Sequence, residues 1–307
     1  LKHLAPVMSL AVLLAPSVGL GQWQAHEVRQ LNGQAGQRRL PARFQIVTES
    51  WNRVVAVPYM VNMPEKNRLL MLVGCDYPHR AFVLTSDNRG ATWTDPRPVR
   101  ADDDGQPSIG MGTALAYLGK GRLLFYEDGI LAAGQPSRWF STDYGKTWGH
   151  PVPIARSSDD KPWYIWDPPL VDRDPRTGKI IQLAETGYRQ SGTDSQASIR
   201  FSTDLGQTWS PSITVPEWHG ANEVSLFRAG NGDLLAACRT DVPTRLEGKT
   251  LDHYEGLGIS ISRDDGRTWS AVRKLYDYGR HHPSLVLMRN KDIVMTYVVR
   301  LGYVDDQ

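Results

Sequence analysis

Four copies of one eight-residue pattern constrain the fold of this chain more than any other feature. They occupy residues 86–93, 141–148, 202–209 and 262–269 and share the consensus Ser-x-Asp-x-Gly-x-Thr-Trp, with Asn88 in place of Asp in the first copy. Their tryptophans, Trp93, Trp148, Trp209 and Trp269, are 55, 61 and 60 residues apart. A period of that size belongs to stacked supersecondary units rather than to one irregular core. Each residue type has a physical task. Asp bonds the backbone amides of a tight turn, Gly supplies the positive φ the turn needs, and Trp covers it from the apolar side.

The sequence around each box repeats as well. Apolar runs at 58–61, 69–73 and 81–84 precede the first box, and those at 113–118, 123–126 and 139–140 precede the second. Runs at 169–171, 180–184 and 197–201 precede the third, and 224–227, 234–238 and 257–261 the fourth. Turn signals such as Glu65-Lys66-Asn67, Gly119-Lys120-Gly121 and Asn231-Gly232-Asp233 separate them, and extended segments at 151–154 and 211–215 follow two of the boxes. No long stretch has helical period. The pattern predicts four short strands per unit, and four-stranded sheets repeated radially make a β-propeller. Each box then falls between third and fourth strands, as a structural fastener away from the centre. A fifth unit starts at Pro283 and turns at Asn290-Lys291-Asp292. The expectation is an all-β propeller over residues 43–307 with four full blades and half of a fifth. Its last blades are expected to be missing from this sequence, and residues 43–48 to be a ring-closing strand.

Composition narrows the partners. With 35 basic and 33 acidic residues the formal net charge is +2, so no field favours nucleic acid or an anionic membrane. Ten tryptophans and twelve tyrosines suit a carbohydrate-handling β protein, and equally a well-filled core. Lys2 and His3 precede an apolar run over 4–14, and small residues follow to Gly21. This predicts a signal peptide over residues 1–21, then an N-terminal segment over 22–42, in a secreted or periplasmic monomer. The run is too short and broken for a membrane span. Cys75 and Cys238 end apolar runs in different repeats, which favours two buried free thiols over a disulfide.

Boxes of this kind at this spacing in an exported chain resemble the sialidase (neuraminidase) superfamily of six-bladed propellers, over roughly residues 50–300. The same boxes occur in xyloglucanase-like hydrolases and sortilin-like receptors, so activity depends on the site residues. The resemblance implies a Glu at the start of the fourth blade's first strand and a carboxylate-binding Arg at the end of its second. Glu223 and Arg239 stand there. It implies a further clamp Arg in the fifth blade, matched by Arg300, and an acid/base Asp in a first-blade loop, where Asp76 is the acidic candidate. The family's first-blade Arg-Ile-Pro is replaced by Ala56-Val57-Pro58, and the nucleophilic Tyr of a sixth blade has no counterpart.

An arginine cluster is the natural clamp for an anionic sugar. Hydrolysis in this superfamily uses a Tyr made basic by a Glu, with an Asp as general acid, which would make Glu223 the activating Glu. The alternative for Glu223 and Arg239 is a buried structural ion pair. His282, in Arg280-His281-His282, is expected at the funnel mouth as a polar substrate contact. Trp166, beside Trp163 and Asp167, either stacks on a sugar or packs in the core. No metal is expected, because the paired histidines lack a third ligand and Asp102-Asp103-Asp104, Asp172 and Asp174 lack a calcium-binding spacing. No cofactor is expected either. The functional expectation is an exported sialidase-like glycoside hydrolase acting on terminal sugars of glycans, sialic acids among them. Its alternative is a non-catalytic propeller that binds a glycan or a protein.

Overall fold

The computed structural model describes residues 45–48, 50–129, 135–191, 194–246 and 254–300. The predicted signal peptide and the segment over 22–42 lie outside them. Two compact units divide the chain, residues 1–52 and 53–307, and the strands described here all belong to the second.

Those strands form four four-stranded antiparallel sheets and one two-stranded sheet. The first sheet holds β1 (Val55–Met63), β2 (Arg68–Cys75), β3 (Arg80–Ser86) and β4 (Arg97–Pro98). The second holds β5 (Gly112–Gly119), β6 (Arg122–Glu127), β7 (Ser137–Ser141) and β8 (Gly149–Pro153). In the third are β9 (Leu170–Arg173), β10 (Ile180–Ser191), β11 (Asp194–Ser202) and β12 (Ile213–His219). The fourth has β13 (Ala221–Arg228), β14 (Leu234–Thr240), β15 (Gly256–Ser262) and β16 (Arg273–Tyr276), and the last pairs β17 (Arg280–Leu287) with β18 (Ile293–Val299). Strands are hydrogen-bonded in sequence order within every sheet, as hairpin-linked meanders require. Across sheets, the first strands lie in a row, β1 against β5, β5 against β9, β9 against β13 and β13 against β17. They are therefore the inner strands of successive propeller blades. The strand expected over 43–48 is not found: residues 45–48 are coil and bend, and residues 43 and 44 lie outside the described set.

Blade faces pack on each other, and strand alternation shows how. Leu123 and Phe125 of β6 join the core between the first and second blades, with Leu70, Leu72 and Leu115. Leu124 and Tyr126 point the other way, into the core between the second and third blades, with Trp163 and Leu183. A strand buried on both faces reads as a continuous apolar run, as Leu123-Leu124-Phe125-Tyr126 does. Trp218, Leu226, Ala236 and Trp269 fill the next seam. Cys75 and Cys238 are free and buried.

Each box joins the third strand of its blade to the fourth, as the repeat predicts. In the second blade Asp143 Oδ1 accepts from Ser141 Oγ at 2.8 Å and the Thr147 amide at 3.0 Å, and Thr147 Oγ1 donates to Oδ2 at 2.6 Å. Asn88 reproduces this with its donor reversed: Oδ1 accepts from the Thr92 amide at 2.9 Å while Nδ2 donates to Thr92 Oγ1 at 2.8 Å. Gly145 has φ 77°, and a Cβ there would collide with Leu70 of the preceding blade. Glycine thus serves both the turn and the seam. Trp148 meets Phe125 edge to face at 4.9 Å between centroids.

Candidate active site

Antiparallel meanders put the start of every inner strand, the end of the second strand and the start of the third at one end of the blade. The boxes lie at the other end. At the first end, four of the five inner strands described share an irregularity. Pairing shifts between Ala56 and Tyr59 in β1, Gly112 and Ala114 in β5, Ala221 and Val224 in β13, and His281 and Ser284 in β17. Bulges of this kind re-aim side chains next to active sites. Val57 and His282 each precede a proline and hold positive φ, 46° and 53°. Such a conformation is strained for a branched residue like Val57.

The bulges bring together a cluster from three successive sheets. Glu223 Oε1 accepts from Arg239 Nη1 at 2.7 Å, and Oε2 lies 2.9 Å from His282 Nδ1. The Glu223 amide donates to its neighbour Asn222 Oδ1 at 2.6 Å, which pins the turn of the chain. On its other side the Arg239 guanidinium binds Glu255 through Nε. Glu255 directly precedes β15, and Gly256 beside it admits no side chain. A Cβ there would stand 2.5 Å from the Asp277 carbonyl and 2.6 Å from that of Tyr276. Asp167, just before β9, is buried, and its Oδ2 has no hydrogen-bond partner. Tyr59 of β1 donates to the Trp166 carbonyl at 2.6 Å, joining the first blade to the same segment.

These environments drive the carboxyls apart. Burial raises Glu223, but the His282 hydrogen bond and the Arg239 charge outweigh it and carry the group down to about 2. Glu255 goes up to about 7, because burial exceeds the pull of Arg239. Asp167 also goes up to about 7 through burial, with His282 opposing and Glu223 reinforcing. Burial would lower His282, yet the bond to Glu223 leaves it raised. The Arg239 guanidinium is stabilised by its two carboxylates against burial. Tyr59 and Tyr188 are both raised by burial first, Tyr59 then by Asp167 and Glu223 and Tyr188 by Glu223. One carboxylate held ionised thus stands beside two whose burial favours the protonated form, an arrangement that suits a candidate site.

Of the residues predicted from sequence, Glu223, Arg239 and His282 are joined directly. Trp166 contributes its backbone carbonyl to Tyr59, and its half-buried side chain lines a small cavity with Thr113, Glu127 and Tyr164. Asp76 lies at the same end of its blade, but its carboxylate is held by Arg53 at 2.5 Å and is half exposed. Arg300 follows β18 and donates its backbone N–H to the Gly279 carbonyl. Glu255 was not predicted, although the third strand's start belongs to this end of every blade. Among the described residues no group of His, Cys, Asp and Glu is arranged to hold a metal ion, and no helix is long and apolar enough to cross a membrane.

No protein-family model and no curated protein matches the chain. Solved structures do. A protein of unknown function from Dyadobacter fermentans superposes with a TM-score of 0.60 at 20% identity, over 80% of this chain and 75% of that one. A GH93 α-L-arabinofuranosidase of Fusarium graminearum, solved with arabinobiose, gives 0.58 at 16% identity, over 79% and 74%. The NanB sialidase of Streptococcus pneumoniae gives 0.49 at 13% identity, over 76% and 54%. At these identities the likeness is one of fold: this chain is built as propeller glycosidases are.

Proposed function

We propose that the chain is a glycan-acting glycoside hydrolase whose centre is the Glu223, Arg239 and His282 cluster, and that its substrate is a neutral terminal sugar. One observation carries the reading: an ionised carboxylate, held on both oxygens at the inner end of the blades, with two proton-holding carboxyls beside it. Glu223 is suited to stabilise the positive charge that develops at the anomeric carbon. Two features favour a neutral sugar over a sialic acid. Arg239 already satisfies Glu223 and Glu255, and Ala56 stands where the sialidase superfamily has its first clamp arginine. We further propose an exported protein, on the apolar run over 4–14, and a six-bladed ring. A blade beyond the fourth is supported by β17 and β18, which repeat the inner pair of a blade.

The test is release of para-nitrophenol from a panel of glycosides that includes the α-L-arabinofuranoside and a sialoside. Turnover of a neutral glycoside that falls on the order of 10³-fold in Glu223→Gln, as for loss of a transition-state charge partner, is the expected result. Binding on a glycan array with no turnover of any glycoside by a folded protein selects the non-catalytic reading instead. Preference for the sialoside overturns the neutral-sugar assignment.

A further inference from the structure

We propose that Glu255 is the proton donor of this centre; the assignment rests on the hydrolase reading above. Three carboxyls meet around Arg239 and His282, and geometry separates them. Glu223 has each oxygen engaged, one by Arg239 and one by His282, with its side chain 6% exposed. Asp167 is 4% exposed and its free oxygen is enclosed by protein, so a substrate cannot reach it. Glu255 is 18% exposed, the most open of the three. Its bond to Arg239 Nε engages Oε2 and leaves Oε1 to carry a proton. It stands at the end of the blade where the inner-strand bulges converge, and Gly256 fixes where the chain turns into β15.

Arg239 therefore lies between two carboxyls of opposite character. The groups that act on Glu255 are Arg239, Glu223 and Asp241, with Tyr188 nearby. Burial keeps its proton on up to about pH 7, where a general acid is effective. The step balances as follows. Glu255 gives its proton to the glycosidic oxygen as the bond from that oxygen to the anomeric carbon breaks, and the bonding pair stays on the departing oxygen. Glu223 stabilises the positive sugar ring. Water then bonds to the anomeric carbon and returns a proton to the Glu255 carboxylate.

Leaving-group dependence tests this without relying on stability. For a sugar that the wild type cleaves, the probes are its dinitrophenyl glycoside, which departs without protonation, and its methyl glycoside, which does not. Glu255→Gln is expected to keep dinitrophenyl hydrolysis within a few-fold. It should lose about 10²- to 10⁴-fold on the methyl glycoside, and the alkaline limb of the pH profile should disappear with it. Equal loss on both probes, or no loss on either, overturns the assignment while leaving the hydrolase reading intact. A wild type inert toward every glycoside overturns the hydrolase reading itself. Should Glu255→Gln fail to fold, Glu255→Asp supplies the same comparison, with the methyl glycoside again the more affected probe.

Discussion

Among the described residues, the two least exposed arginine–carboxylate groups differ in the charges around them and in their access to solvent. Arg138 of β7 binds both oxygens of Glu185 in β10, through Nη2 at 2.5 Å and Nε at 3.3 Å. Both side chains are essentially inaccessible, and the guanidinium lies 5.5 Å from the Tyr126 ring and 4.7 Å from that of Trp209. Arg200, also buried, adds a second cation whose charge acts on Glu185. Burial pushes the Glu185 carboxyl up, and Arg138 pulls it back. At the other group, Arg239 and His282 face three carboxyls, and part of the assembly is open. The first arrangement is closed to solvent. The second has carboxyls in excess, and one of them, Glu255, is partly open to solvent; on the function proposed above, that excess separates a chemical centre from a structural pair.

Replacing Arg138 breaks the comparison most forcefully. Arg138→Met strands Glu185 inside the seam between second and third blades, and stability should fall by about 3–5 kcal/mol. Turnover per folded molecule should stay unchanged. Arg239→Lys should do the reverse, with turnover falling steeply and melting temperature only slightly, because a single ammonium cannot reproduce a forked bridge between Glu223 and Glu255. Denaturant melts paired with active-site titration separate the two, and parallel behaviour of the variants would show that both pairs are structural.

Acid titration gives a middle-sized effect with a definite sign. Asp167 and Glu255 hold protons up to about pH 7, whereas their ordinary values are 3.8 and 4.5. The folded state therefore binds more protons than the unfolded chain between those limits, and their contribution to stability declines as pH rises through that window. Glu223 acts the other way. Its contribution is present above 4.5 and is lost as pH falls toward about 2. The double variant Asp167→Asn, Glu255→Gln should melt with a flatter pH dependence between about 4.5 and 7 than the wild type. An unchanged slope would mean that both groups titrate normally. The smallest effect belongs to the boxes. Asp143→Ala removes three hydrogen bonds at an exposed turn and should lower stability by about 1–2 kcal/mol, with no change in turnover or its pH profile.

The blades were legible because their signals are local. Box, turn and alternating run each act within about ten residues, and the predicted runs at 69–73, 123–126 and 234–238 all lie inside strands that formed. Glu223 and Arg239 could be placed at one end because the family resemblance assigns them to the start of a first strand and the end of a second, and His282 because it stands where the fifth blade begins. Glu255 and the partnerless oxygen of Asp167 could not be read the same way. Both residues precede a strand, and their importance comes from neighbours in other blades or strands: Arg239 for one, and Glu223 and His282 for the other. The engagement of Arg239 on both sides was also hidden, since Glu223 and Glu255 reach it from different strands. The extended character predicted for residues 45–48 lacked any repeat partner to pair with, and no strand formed there.

The collision that a side chain at Gly145 would make with Leu70 gives the seam a direction. The box of the second blade leans on the second strand of the first, and a Cβ at Gly206 would lie 3.1 Å from Leu124, one blade back. Arg97 of the first blade likewise reaches forward to the Gly145 carbonyl. The box turns of the second and third blades thus close onto a surface already present earlier in the chain. Repeat proteins propagate order through nearest neighbours, and ribosomes deliver the N-terminal part first. A blade leaving the ribosome meets the template for its fastener in the blade before it, so synthesis and assembly run in the same direction.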